Sequence, residues 1–314
     1  MLKGLALTPP IIGRISIGHV VEKAGKRLPE KDDEFTITTQ VQNRTGWQLH
    51  PLDQTLRGQA GAKLRTIPVR LLFNAPDLNF RSSYSLFNRI SGRALCVGNG
   101  ETCRRVKQGR IQTLPCPTPD ACELAVGGNC KPFGRLNVRI GDDDDFGTFV
   151  FRTTGYNSIR SLSTRLAYFH AVSGGLLSTL PLELRLRGKS TAMSHGTPIF
   201  YVDLTVRTGS SLAEALIAAK ADAQSRHEAG FNQIALDEAA RQGFAAGAFE
   251  ESAEEGEAVL EEFFPDESRA SGKGSPPQAE AATLGEKLSQ RAALLSPQKP
   301  GLQVEDFPDT GREV

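Results

Sequence analysis

Long apolar runs are absent from this 314-residue sequence. The longest extend only a few residues, far short of the ~20 that cross a bilayer, so no membrane helix is expected. Residues 1–20 hold one Lys, the Pro9-Pro10 pair and no small-residue cleavage site. No secretory signal is therefore expected, and the reading is cytoplasmic. There is no Cys-x-x-Cys, His-Glu-x-x-His, Gly-x-Ser-x-Gly, Walker loop or dinucleotide fingerprint. The five histidines (His19, His50, His170, His195 and His227) never fall at ligand spacing. Carboxylates are scarce before residue 210 outside turns, which argues against a two-metal nuclease, since that chemistry needs several converging acids. An enzyme is not the favoured reading.

What is present favours strands and turns. Glycine (31) and proline (18) are frequent, and 39% hydrophobic against 23% charged residues is enough for one or two cores. The formal net charge of +1 hides a division. Residues 1–210 carry 28 Lys/Arg against 16 Asp/Glu, whereas residues 211–314 carry 9 against 20. A basic body points to an acidic or polyanionic partner, and an acidic tail can screen it.

Strands are expected over Ile11–Gly18, Phe35–Val41 and Thr66–Phe73, with a charged turn from Glu22 to Glu34 between the first two. Phe80–Ile90 has a mixed aromatic pattern. Alternation then sharpens in Arg135–Ile140 and Thr148–Thr154, a hairpin whose turn carries the four aspartates Asp142–Asp145 and is read as solvated. A helix is expected from an N-cap at Asn157 or Ser158 to about Val172. Its apolar stripe is Ile159, Leu162, Leu166, Phe169 and Val172, and it ends at Gly174-Gly175. Strands at Leu182–Arg187 and Ile199–Arg207 follow. Ser211-Leu212-Ala213-Glu214 opens a helix with a capping box, and a second helix is expected over Asn232–Ala248.

All five cysteines lie between Cys96 and Cys130, spaced C-x6-C-x12-C-x5-C-x7-C in a Gly/Pro-rich stretch. Four soft thiolates in a loop with little apolar content fit a structural zinc. An iron–sulfur cluster or free buried thiols are the alternatives. Basic residues gather nearby: Arg104 and Arg105 beside the cysteines, Arg135 and Arg139 on one strand face, and Arg152 and Arg160 flanking Tyr156 and Asn157. Guanidinium groups on a rigid sheet beside a helix N-terminus can hold phosphates or carboxylates, so these are the candidate partner-binding or nucleic-acid-binding residues. The tail repeats an E-x-F-P-D element at Glu262–Asp266 and Glu305–Asp309, two candidate docking peptides anchored by Phe264 and Phe307.

The motif order is distinctive. It runs Gly13-Arg14-Ile15-Ser16-Ile17-Gly18, Arg27-Leu28-Pro29-Glu30-Lys31, then Cys96-Val97-Gly98-Asn99-Gly100-Glu101 and Pro115-Cys116-Pro117. Cys122, Cys130-Lys131-Pro132, Gly134-Arg135-Leu136-Asn137-Val138 and Arg152-Thr153-Thr154-Gly155-Tyr156-Asn157-Ser158 complete it. In this order residues 11–207 resemble the actinophage-type recombination directionality factors that partner large serine integrases. They also look like proteobacterial mobile-element relatives labelled hydrolase or metal-binding protein. The resemblance implies a non-catalytic factor that binds the DNA-bound integrase, redirects its coiled-coil arms and promotes excision. It also implies that Cys96, Cys116, Cys122 and Cys130 are the family's thiol positions, with Cys103 as spare or alternative ligand. The four-Asp turn and the acidic tail depart from the family pattern.

The expected fold is therefore α+β. A mainly β, basic body spans 1–210 with a zinc-clipped loop at 96–130, a helical segment follows at 211–249, and an acidic disordered tail fills 250–314. The leading function is an accessory recombination factor acting on a site-specific recombinase. The rivals are a DNA- or single-strand-binding module, marked by steep salt dependence, and a metal-dependent hydrolase with an open metal position.

Overall fold

The first two described strands are long and pair as an antiparallel ribbon. They are β1 (Ile11–Lys23) and β2 (Lys26–Asn43), in register from Gly13↔Thr39 to Lys23↔Lys26. The computed structural model describes residues 10–244 except 24–25, 44–45, 60, 143–146 and 191–197, together with Gly256, Val259, Leu260, Phe263 and Phe264. Of residues 19–32 and 244 it describes the backbone alone. The charged stretch from Glu22 to Glu34, expected as a turn, is thus largely strand. Pairing along the ribbon supplies backbone hydrogen bonds that its composition does not signal.

In chain order follow β3 (Gly46–Leu49), α1 (Pro51–Arg57), β4 (Thr66–Arg70), α2 (Pro76–Asn79), β5 (Phe80–Phe87) and β6 (Ala94–Gly98). Then come β7 (Thr102–Lys107), β8 (Arg110–Pro115), α3 (Thr118–Ala121), β9 (Cys130–Ile140), β10 (Thr148–Thr153) and α4 (Tyr156–Val172). The series ends with β11 (Leu182–Lys189), β12 (Ile199–Val206), α5 (Leu212–Glu228) and α6 (Gln233–Phe244). The sheet runs β3-β2-β1-β10-β9-β5-β6-β7-β8, with β1 and β10 parallel and the other neighbours antiparallel. Strand β9 is 11 residues long. Its body pairs with β10 and β5, while its end, at Arg139 and Ile140, pairs with Arg70 and Val69 of β4 and so brings in β11 and β12. The class is mixed α and β around one large sheet, in line with the strand-rich composition.

The core lies on one face of this sheet. Alternation on β9 turns Leu136, Val138 and Ile140 inward to meet Ile37, Phe149, Phe151, Leu184 and Leu204. Helix α4 covers them with Ile159, Leu162, Leu166 and Phe169, the expected stripe, whereas Val172 is exposed. The helix starts two to three residues earlier than expected, with Gly155 as its cap. Asn157 and Ser158 sit inside the first turn because tertiary partners claim their side chains. Ser158 Oγ accepts from the Val202 amide at 3.1 Å, and Asn157 Oδ1 accepts from Lys189 Nζ at 2.7 Å. His170, one position beyond the stripe, is exposed. Gly174 and Gly175 end the helix at φ of 65° and 88°, a conformation that glycine adopts without penalty.

Two acidic residues tie the layers together. Asp203 on β12, only 3% exposed, accepts from Ser161 Oγ (2.8 Å) and Arg165 Nε (3.1 Å) of α4 and from Arg187 Nε (2.6 Å) of β11. Burial alone would raise its pKa, but the bonds from Arg187, Ser161 and Arg165 outweigh it and hold the carboxyl below its ordinary value. Asp142, first of the four aspartates, accepts from Arg207 Nη1 (2.5 Å) and Nη2 (3.0 Å) and from Arg70 Nε (2.8 Å). Led by the Arg207 bonds, these lower its pKa to about 2. Asp143, Asp144 and Asp145 lie outside the described residues. The capping box of α5 forms as expected: Ser211 Oγ accepts from the Glu214 amide at 3.2 Å, and Glu214 accepts from the Ser211 amide at 2.7 Å.

Candidate partner-binding face

The face of the sheet away from the core is basic. On β9 the residues alternating with the core set are Arg135, Asn137 and Arg139. Register places Arg81 of β5 directly opposite Arg135, and Arg152 of β10 opposite it on the other side. Residues opposite each other on antiparallel strands point the same way, so three guanidinium groups form a row across three strands. Arg135 and Arg152 are 7% and 8% exposed. None of Arg81, Arg135, Arg139 and Arg152 is without a partner. On β1, Arg14 stands 3.8 Å over the Trp47 ring.

The structure thus brings together Arg135, Arg139 and Arg152, as expected, and adds Arg81. The alternation of Arg81, Ser83 and Ser85 in β5 is a signal for that addition, but only the register shows which strand it faces. Tyr156, Asn157 and Arg160 are not part of the row. They begin α4, which packs against the opposite, core face of the sheet; Tyr156 and Arg160 are exposed there. Arg104 lies on β7 opposite Val97, while Arg105, one residue on, points to the cysteines.

The five thiols converge from five places in the chain. Cys96 is on β6, Cys103 on β7, Cys116 just past β8, Cys122 past α3, and Cys130 opens β9. All are free. Arg105 Nε lies 3.5 Å from Cys96 Sγ, its Nη2 3.9 Å from Cys122 Sγ, and Cys103 Sγ donates to the Pro115 carbonyl at 3.6 Å. The approach is tight: a Cβ on Gly98 would come within 2.8 Å of both Cys103 Cβ and Cys116 Sγ. Burial, with Cys96 next to it, pushes Cys103 up to about 11, and burial does the same to Cys130. Soft thiol donors suit zinc. Yet among the described residues no three His, Cys, Asp or Glu side chains are grouped so as to hold a metal ion.

At the other end of the basic face lies a small apolar cluster separate from the main core. Phe87 of β5, Ala94 and Val97 of β6 and Phe133 of β9 pack with Val259, Leu260, Phe263 and Phe264. These last four lie within the stretch expected to be a disordered tail, and residues 256, 259, 260 and 263 have helical backbone. Phe264, expected as a docking anchor, is 8% exposed in this cluster. Phe307, the other anchor, and His195 lie outside the described residues.

No described helix is long and apolar enough to cross a membrane. No curated protein and no solved structure matches the chain. A family model does: that of the Gp3-like, recombination directionality factor-like proteins, over residues 12–207. The match covers well over half of the chain. It runs from the start of β1 to Arg207 just past β12, and so takes in the whole sheet, the arginine row and all five cysteines, in the motif order noted above. The chain belongs to the recombination directionality factor-like family.

Proposed function

We propose that this chain is a non-catalytic accessory factor of a mobile genetic element, one that binds a DNA-bound large serine integrase and directs it toward excision. The observation that carries the reading is the family match across the entire sheet body. Physically the act is a population shift. The factor binds the excision-competent arrangement of the recombinase more tightly than the alternative, and moving a 1:99 equilibrium to 99:1 takes a differential of about 10⁴-fold. Of the row, Arg81 is the less buried member, and a planar guanidinium on a rigid sheet supports a contact with a partner carboxylate. The test is a gel-shift series with the purified protein, attL and attR duplexes and the serine integrase encoded nearest to it, followed by an excision assay. A supershift that requires the integrase, and excision that requires this protein, are the expected results.

The same row favours a second reading, direct binding to nucleic acid. Its signature is a shift on DNA alone that fades steeply as salt rises.

We further propose that four of the five cysteines hold a structural zinc. Their convergence and their soft donor chemistry support it. A zinc-bound thiolate still accepts hydrogen bonds, so Arg105 can stay beside Cys96 and Cys122 when the ion binds.

A further inference from the structure

We propose that the apolar slot beside the arginine row is a docking site for an acidic helix bearing two adjacent phenylalanines on the partner recombinase, and that the chain's own Val259, Leu260, Phe263 and Phe264 hold it closed in the isolated protein. This rests on the reading of the chain as a recombinase partner. The slot is built wholly inside the family-matched stretch, and its present occupant comes from outside it.

The occupant shows what chemistry fits. Phe263 is fully buried, with its ring edge-on to Phe87 (4.8 Å between centroids) and to Phe133 (5.9 Å). Phe264 packs against Phe263 at 4.8 Å, and its amide donates to the Leu260 carbonyl at 2.8 Å, so the pair sits on a helical turn. Cations line the rim. Lys131 Nζ is 4.7 Å from the Phe263 ring centre and Arg89 is 4.8 Å from that of Phe264. Residues 250–267 contain nine carboxylates and no Lys or Arg, which complements these cations and the arginine row beyond them. Val259-Leu260 and Phe263-Phe264, four residues apart, present one apolar stripe to the slot, the pattern of helix-in-groove recognition.

The fit is specific in its backbone as well. A Cβ on Gly92, at φ 64°, would overlap the Gly256 carbonyl, and a Cβ on Gly256 would overlap that of Ser91. Glycine is needed on both sides of this approach. The E-x-F-P-D echo does not supply an equivalent occupant. Aligning the two copies sets Asp306 where Phe263 stands, and a carboxylate between Phe87 and Phe133 would be desolvated without a partner. The closed contact is also one that a partner can displace. It consists of two rings and two aliphatic side chains, set against the cost of ordering the segment that carries them.

The test uses the full-length chain and its F263D variant, which places in the slot the aspartate of the second copy. The probe is a fluorescein-labelled peptide of residues 250–267, read by anisotropy. The F263D chain is expected to bind the peptide at least tenfold more tightly than the unaltered chain. A peptide with both phenylalanines replaced by serine should lose this binding, and a K131E, F263D chain should bind at least fivefold more weakly. A K131E chain with an unchanged melting temperature keeps that comparison independent of folding. Equal affinity for the unaltered and F263D chains would overturn the closed-slot proposal. So would an F263D chain that gains affinity for a labelled DNA duplex and not for the peptide, or one that pairs into dimers by exchanging its own segments. Pull-down of the integrase separates the two layers of the argument. Capture raised tenfold by F263D supports the recombinase as partner. Peptide binding without integrase capture by either chain overturns the recombinase assignment, independently of the slot chemistry.

Discussion

Arg135 of β9 stands directly opposite Arg152 of β10, both almost fully buried. Like charges facing each other across a ladder repel, at a cost of roughly 0.2–1 kcal/mol when exposed and more when buried. Both guanidiniums have partners within the chain that offset this repulsion. Arg81, next in the row and less buried, is the position at which this can be probed with least disturbance to the core. R81Q is expected to weaken binding to the integrase–DNA complex by about tenfold, or ~1.4 kcal/mol, with little change in melting temperature. Gel-shift titration measures this, and an unchanged midpoint would remove the row from the interface.

Asp203 joins β11, β12 and α4 through Arg187, Arg165 and Ser161. Replacing it with alanine leaves two guanidinium groups without their shared carboxylate. D203A should lower stability by about 3 kcal/mol in urea titration, the lower end for breaking a buried pair, because both arginines keep partial access to water. A loss under 1 kcal/mol would show that the arginines find other partners.

Asp142 carries a pH dependence of known sign. Its folded pKa, about 2, lies below the ordinary aspartate value of 3.8. The stability it contributes is therefore complete above pH 4 and is lost as the pH falls through the folded value. The side chain is 53% exposed, so solvent screening reduces the effect to about 1 kcal/mol. D142N should be less stable than the parent by that amount at pH 7, and the two curves should converge between pH 4 and pH 2. Parallel curves down to pH 2 would contradict the assignment.

If four cysteines hold zinc, metal analysis of the purified protein should return about one equivalent, and C122S should reduce it. Complete chelation should then lower the melting temperature, since binding energy at a structural site is folding energy. An unchanged melt after complete removal would leave the five residues as thiols gathered around Arg105.

Much of the framework follows from local pattern. The alternation in 135–140 separates Leu136, Val138 and Ile140 from Arg135, Asn137 and Arg139 before any neighbour is known. The three- and four-residue steps of Ile159, Leu162, Leu166 and Phe169 set the buried side of α4, and Ser211 with Glu214 starts α5. These features are legible because they depend on the period of the backbone and on side chains within a turn of one another. The family resemblance likewise rests on the order of short motifs along the chain.

Other features arise only when distant segments meet. Alternation assigns Arg81, Arg135 and Arg152 each to one side of its own strand. Only the β5–β9–β10 register, set by pairings as distant as Phe80↔Leu136, lines them up. The same dependence on partners turns the charged stretch after Glu22 into strand and draws Ser158 away from a capping role to the Val202 amide. It also gives a buried place to Phe263, whose acidic surroundings in the sequence point to solvent. Local chemistry is written in neighbouring residues, but which surfaces are covered depends on tertiary contacts whose energies no short window of sequence contains.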